Sequence, residues 1–171
     1  MQINKGKRDI LIFPKFKNIH LIQDFRSKYD PLANLIAPHI TLAFPFSDNI
    51  SNEALISKLT NLLINFKPFS ITFKGISLSY DNYIFLNCTK GNQTLIQLHD
   101  EIYKQIIPNH FNKSIKYIPH ITIGRCNDIK KVDSFEYEFD TKVDEVSIEL
   151  IGEHEESIIL KNIKIGGLLW L

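Results

Sequence analysis

The sequence predicts an α+β fold of two similar halves, with mostly antiparallel strands and helices packed outside them. Three observations carry this reading. Three segments place apolar residues at helical spacing, and seven others read as strands. A strand–helix–strand unit ending in Pro-His-Ile-Thr also occurs twice.

In chain order, residues 9–13 form the first strand-like run. Residues 18–29 follow as a helix, with Ile22, Phe25 and Tyr29 on one face and Asn18 at its N-cap. A second strand spans 39–44. The clearest helix spans 51–66, where Leu55, Leu59, Leu62, Leu63 and Phe66 make a stripe and Pro68 ends it. Residues 69–80 read as a strand whose apolar phase changes across Gly75, the signature of a bulge. A turn at Asp81-Asn82 leads into a strand at 83–88, so these two runs form a hairpin. The third helix, 93–107, turns Leu95, Leu98, Ile102 and Ile106 inward and stops at Pro108. Strands at 120–125, 143–151 and 157–165 complete the chain, the last two joined through Gly152-Glu153.

With 171 residues, 44% of them apolar, roughly two thirds of the extended-chain surface can be buried in one domain of two intimate lobes over residues 1–171. No disulfide or metal staple is required. Cys88 and Cys126 are too few for a disulfide framework or a four-ligand zinc site, so the cytoplasm is the expected location. Twenty basic against 19 acidic side chains give a net charge of +1, which excludes a long, electrostatically gripped duplex and a membrane surface as partners. The apolar stretch behind the polar start covers only residues 10–14, too short for a signal peptide. The closing 168–171 is too short to span a bilayer and reads as a terminal strand or tail. A monomer is expected.

The chemistry lies in the repeated pentad. Pro38-His39-Ile40-Thr41-Leu42 and Pro119-His120-Ile121-Thr122-Ile123 stand 81 residues apart, close to half the chain. A chain of this composition should hold roughly a quarter of one His-x-Thr by chance. One such motif usually means a hydrogen-bonded structural histidine; a matched pair points to a site. On a strand, side chains alternate faces, so Ile40 and Leu42 anchor one side while His39 and Thr41 are displayed on the other. His120 and Thr122 repeat the arrangement. A pseudo-two-fold axis bringing both strands together would place two imidazoles and two hydroxyls in one cleft. Paired imidazoles suit general acid–base catalysis near neutral pH, and hydroxyl donors suit the non-bridging oxygens of a phosphate. In-line phosphoester cleavage by such a set uses no metal, no cofactor and no covalent nucleophile.

These paired motifs resemble the twin His-x-Thr/Ser-x signature of the 2H phosphoesterase superfamily, nearest to its 2′-5′ RNA ligase-like and cyclic phosphodiesterase branch. The resemblance covers nearly the whole chain, and Arg125, two residues beyond Ile123, matches a basic residue often found there. It implies a bilobal, internally duplicated α+β fold with a central cleft. It also implies hydrolysis or transfer at 2′,3′-cyclic phosphates or 2′-5′ phosphodiesters of RNA ends or small nucleotides. By the same resemblance His39 and His120 are the acid–base pair, here read with His120 as base and His39 as acid, while Thr41, Thr122 and Arg125 bind phosphate. The first motif is followed by Ala43-Phe44-Pro45-Phe46, so a symmetric second cation is missing. A non-catalytic module for RNA ends or nucleotides, or a phosphoesterase for another cyclic nucleotide-derived molecule, remain alternatives.

Around this core, Phe44, Phe46, Tyr83 and Tyr117 are candidates for stacking a base, although core packing is the commoner role of each. Lys113, Lys116, Lys130 and Lys131 could join Arg125 around an anion. His20, His99, His110 and His154 have no comparable context; His99 is expected on a solvated helix face and His154 in an acidic turn. Each motif strand supplies a single imidazole, which argues against zinc, and Cys126, near Arg125 but with no adjacent histidine, reads as an inert thiol.

Overall fold

Among the described residues, β1 (Arg8–Ile12), β2 (Ile40–Phe46), β3 (Phe69–Leu78), β4 (Tyr83–Lys90), β5 (His120–Arg125), β6 (Glu138–Val143), β7 (Glu145–Ile151) and β8 (Ser157–Lys164) form a sheet with three helices. These are α1 (Ile19–Tyr29), α2 (Asn52–Leu63) and α3 (Asn92–Gln105). Burial alternates along β4 and β6, whereas β1 is buried throughout. The structure is a computed structural model and describes residues 6–167, so the apolar tail at 168–171 lies outside the described residues. Among the described residues, no helix is long and apolar enough to cross a membrane.

Among the described residues the strands form one eight-stranded sheet in the order β6-β3-β4-β5-β2-β1-β7-β8, and every neighbouring pair is antiparallel. The two motif strands, β2 and β5, are its centre. Four strands lie on each side of the seam between them, so the mostly antiparallel α+β reading holds, with the two halves continuous rather than separate. The chain does not divide at its midpoint, however. After β3 to β6 build one half, β7 and β8 return to flank β1 in the other.

Ser51 caps α2 by accepting a hydrogen bond from the Ala54 amide, satisfying a first-turn N–H. Asn18 occupies the N-cap position of α1, but its side chain makes no cap bond and instead donates to the Glu138 carbonyl. Leu55, Leu59, Leu62 and Leu63 of α2 and Leu95, Leu98 and Ile102 of α3 are buried against Ile10, Ile40, Leu42, Ile84, Leu86 and Ile121. Burying each such side chain stabilises the fold by about 1.5–3 kcal/mol. Two helices cross the seam, α1 lying on β5 and α3 on β2, while α2 packs on β8. Gly124 permits the first of these contacts, because a Cβ there would sit 2.6 Å from the Cβ of Tyr29 at the end of α1.

Gly75, at φ +79°, coincides with the register break between Phe73 and Ile76, so the bulge expected from the phase change is present. One strand escaped the sequence reading. In β6 only Phe139 and Val143 are buried, and its charged neighbours mask a strand that pairs only with β3 at the sheet edge.

Candidate active site

The seam between the halves holds the site. β2 and β5 pair at Ile40 and Ile121 alone, close to the start of each strand. Because the strands are antiparallel, each runs away from the other beyond that point. Extending the register by one residue sets His39 beside Thr122 and Thr41 beside His120. Both isoleucines are fully buried on the helix side, so the four polar residues share the opposite face. Each motif's histidine and threonine therefore meet the other motif's threonine and histidine in a square. The two histidines lie on its diagonal, near enough for the His120 ring to lower the His39 pKa.

The imidazoles are held identically. His39 Nδ1 lies 2.8 Å from the Ala37 carbonyl, and His120 Nδ1 lies 2.6 Å from the Ile118 carbonyl, each two residues upstream. A carbonyl only accepts, so Nδ1 carries the proton in both rings and Nε2 is the ring nitrogen left to accept. Phe85, on the strand next to β5, stacks on His120 with centroids 3.5 Å apart, and the Phe13 ring lies 6.1 Å from that of His39. Burial pushes the pKa of both histidines below the ordinary 6.5. For His39 the nearby Arg26 guanidinium and the His120 ring lower it further, against the opposing pull of the Ala37 carbonyl and Asp30.

Thr41, His120 and Thr122 line a cavity of about 660 Å³ with Phe44, Tyr83, Phe85, Asn87 and Lys116. Among the described residues, no side-chain hydrogen bond engages either threonine hydroxyl. Thr41 is fixed from below, where Tyr117 donates its hydroxyl to the Thr41 carbonyl at 2.8 Å. Tyr117 is in turn stacked on His99 at 3.9 Å.

Several expectations change here. Tyr117 is committed to the interior, and burial pushes its phenol well above the usual range. Phe46 is buried against Arg8 and His110, so of the four aromatic candidates only Phe44 and Tyr83 reach the cavity. His99 is buried rather than solvated, because α3 turns it toward Tyr103 and Tyr117. Arg125 is exposed at the end of β5, where Nη2 donates to the Tyr83 hydroxyl at 2.9 Å and the guanidinium covers the Tyr83 ring. It therefore reaches the cavity through Tyr83, without joining its lining. Of the expected basic cluster, only Lys116 contributes to that lining. Cys88 is buried, which raises its thiol pKa to about 11. His154 stands in an exposed turn, as expected. No group of three or more His, Cys, Asp or Glu side chains gathers among the described residues as a metal site would require.

Sequence reasoning passed over Phe85, Asn87 and Phe13. The pairing of Phe85 with Thr122 and of Asn87 with His120 follows from a register that only the assembled sheet supplies.

A family model described as the 2′-5′ RNA ligase superfamily matches residues 14–151. A Geobacillus thermodenitrificans protein named "Putative phosphoesterase" is 32% identical over 126 residues, 70% of this chain and 69% of its own length. A Bacillus licheniformis protein of similar name is 28% identical over 124 residues, 70% of each chain. Among solved structures, E. coli LigT complexed with 3′-AMP matches with a TM-score of 0.68 at 19% identity, covering 94% of this chain and 98% of that one. A Thermus thermophilus protein matches with a TM-score of 0.71 at 12% identity, covering 95% and 99%. At these identities the structural matches speak to the fold.

Proposed function

The chain belongs to the 2′-5′ RNA ligase superfamily, and from that premise we propose that it hydrolyses 2′,3′-cyclic phosphate or 2′-5′ phosphodiester bonds of RNA ends or small nucleotides. One observation carries the reading: two imidazoles and two hydroxyls share one face at the only paired position of the central seam, with both Nε2 atoms left for substrate. The bound 3′-AMP of the LigT structure is consistent with a nucleotide at such a cleft.

The phosphate sits over the square. His120, neutral because burial lowers its pKa, accepts a proton from water at Nε2. The water oxygen bonds to phosphorus as the opposite P–O bond to the ribose breaks. The departing oxygen takes the Nε2 proton of His39, so one proton enters the histidine pair and one leaves it. His39 must begin protonated, and the anionic substrate raises its pKa toward that state. Throughout, the Ala37 and Ile118 carbonyls hold Nδ1–H and keep both rings aimed. The Thr41 and Thr122 hydroxyls donate to the non-bridging oxygens, whose charge grows in the transition state. Phe44 and Tyr83 offer faces for a base, and Lys116 offers a charge for a neighbouring phosphate.

A panel of adenosine 2′,3′-cyclic phosphate, adenylyl-(2′→5′)-adenosine and a cyclised ADP-ribose product, assayed by product chromatography in excess chelator, tests the proposal. Conversion of the first or second to a phosphomonoester is expected. Binding of all three without turnover would instead make the protein a non-catalytic nucleotide module, and turnover of the third alone would move its substrate class.

A further inference from the structure

The duplication that places one histidine on each side of the seam also places a recess beside each. The first is the cavity already described, bounded by Ile115, Lys116 and Ile118 and by Phe85 under His120. The second, of about 860 Å³, is bounded by residues 33–38, the segment leading into His39, and by Phe13 beside the His39 ring. The correspondence is close: each recess has a phenylalanine against the histidine and the segment before that histidine as a wall. His39 stands between them, since Phe13 and Pro38 line the second recess and Thr41 lines the first.

Their chemistries differ. The first presents Lys116, Asp81, Asn87, Ser77 and Ser79 around its aromatic rings. The second sets the apolar Phe13, Leu35, Pro38 and Ile159 beside the polar His20 and the Asp24 carboxylate, and no lysine or arginine lines it among the described residues. Its wall is fixed to the sheet: the Ser157 amide donates to the Leu35 carbonyl at 3.1 Å, and the Ser157 hydroxyl donates to the buried Glu149 carboxylate. Arg26, buried within α1, donates to Asp30 and to the Leu32 carbonyl and holds the other end of the same segment.

We propose that the recess formed by Phe13, Leu35, Pro38 and Ile159 is the subsite for the leaving alcohol of a two-armed phosphodiester, and that it takes an uncharged arm such as an unphosphorylated nucleoside. The inference rests on the phosphoesterase reading above and adds its substrate shape. The phosphorus lies over the seam, and the retained nucleotide occupies the Tyr83–Phe85 cavity. Water bonds to phosphorus and gives its proton to His120 Nε2. The P–O bond to the second arm breaks, and that oxygen takes the proton of His39 Nε2, whose ring lies 6.1 Å from that of Phe13 in the recess wall.

The test compares kcat/KM for adenylyl-(2′→5′)-adenosine with that for adenosine 2′,3′-cyclic phosphate, which has no second arm. Leu35 and Ile159 are 37% and 42% exposed, so Leu35→Ser and Ile159→Ser trim the recess from its open side. Each variant is expected to lower the dinucleotide-to-cyclic ratio on the order of tenfold. A phosphate added to the leaving nucleoside should slow the wild-type protein by a similar factor. An unchanged ratio in a folded variant overturns the subsite, with Ile159→Ser deciding if Leu35→Ser misfolds. So does a wild-type protein that hydrolyses the cyclic phosphate and ignores the dinucleotide. Turnover of neither substrate would remove the phosphoesterase reading itself, a different result.

Discussion

Replacing His39 or His120 with alanine is expected to lower turnover of a 2′,3′-cyclic nucleotide by about 10²–10⁴, the usual worth of a positioned acid or base. The fold should survive both changes. Each ring is half-buried, and among the described residues its hydrogen bond goes to a carbonyl two residues away. Alanine therefore leaves no distant polar partner unpaired and loses only the ring contacts with Phe13 or Phe85. The neighbouring Ile40 and Ile121, fully buried on the other face, hold the seam. Because the two rings act in one proton relay, the double variant should cost little more than either single one. Circular dichroism and thermal melts alongside the kinetics separate catalysis from folding. An unfolded variant, or one of full activity, is incompatible with the assigned roles.

The second large effect belongs to the threonines. Thr41→Val and Thr122→Val keep the branched shape that suits a strand and remove only the hydroxyl. A donor aimed at charge that develops in the transition state is worth about 10²–10³ in kcat. The loss should therefore appear in kcat, with KM changed little. A rise in KM at constant kcat would mean that the hydroxyls only hold substrate. The pair should also behave alike, since Thr41 and Thr122 occupy equivalent corners of the square.

Much of this was legible because the relevant information is local. Alternation along β2 and β5 makes His39 and Thr41 share a face, and Leu55, Leu59, Leu62 and Leu63 announce α2 unaided. The bulge at Gly75 is local too, since a positive φ and a phase change both act within a few residues. What escaped depends on residues far apart in the chain. The return of β7 and β8 to the first half is a pairing with β1 that no periodicity encodes. Burial of His99 and Tyr117 arises because α3 crosses onto β2, which converts an apparently solvated helix face into the support beneath Thr41. Arg8 is a similar case. In sequence it belongs to a polar start, yet it is buried, with Nη2 3.0 Å from the Asp48 carboxylate and the guanidinium over the Phe46 ring. The second recess was equally hidden, because it joins the segment before His39 to the start of β8.

The most direct test of paired imidazoles acting on one phosphate is the pH dependence of kcat/KM for adenosine 2′,3′-cyclic phosphate, which reports the free enzyme's acid and base. Burial lowers both histidines below 6.5, so the acidic limb, where His120 takes up a proton, and the basic limb, where His39 loses one, both fall below that value. The predicted profile is a bell with its apex below pH 6.5, from which His39→Ala removes the basic limb and His120→Ala the acidic one. A profile peaking above pH 7, or keeping both limbs in both variants, would contradict the account.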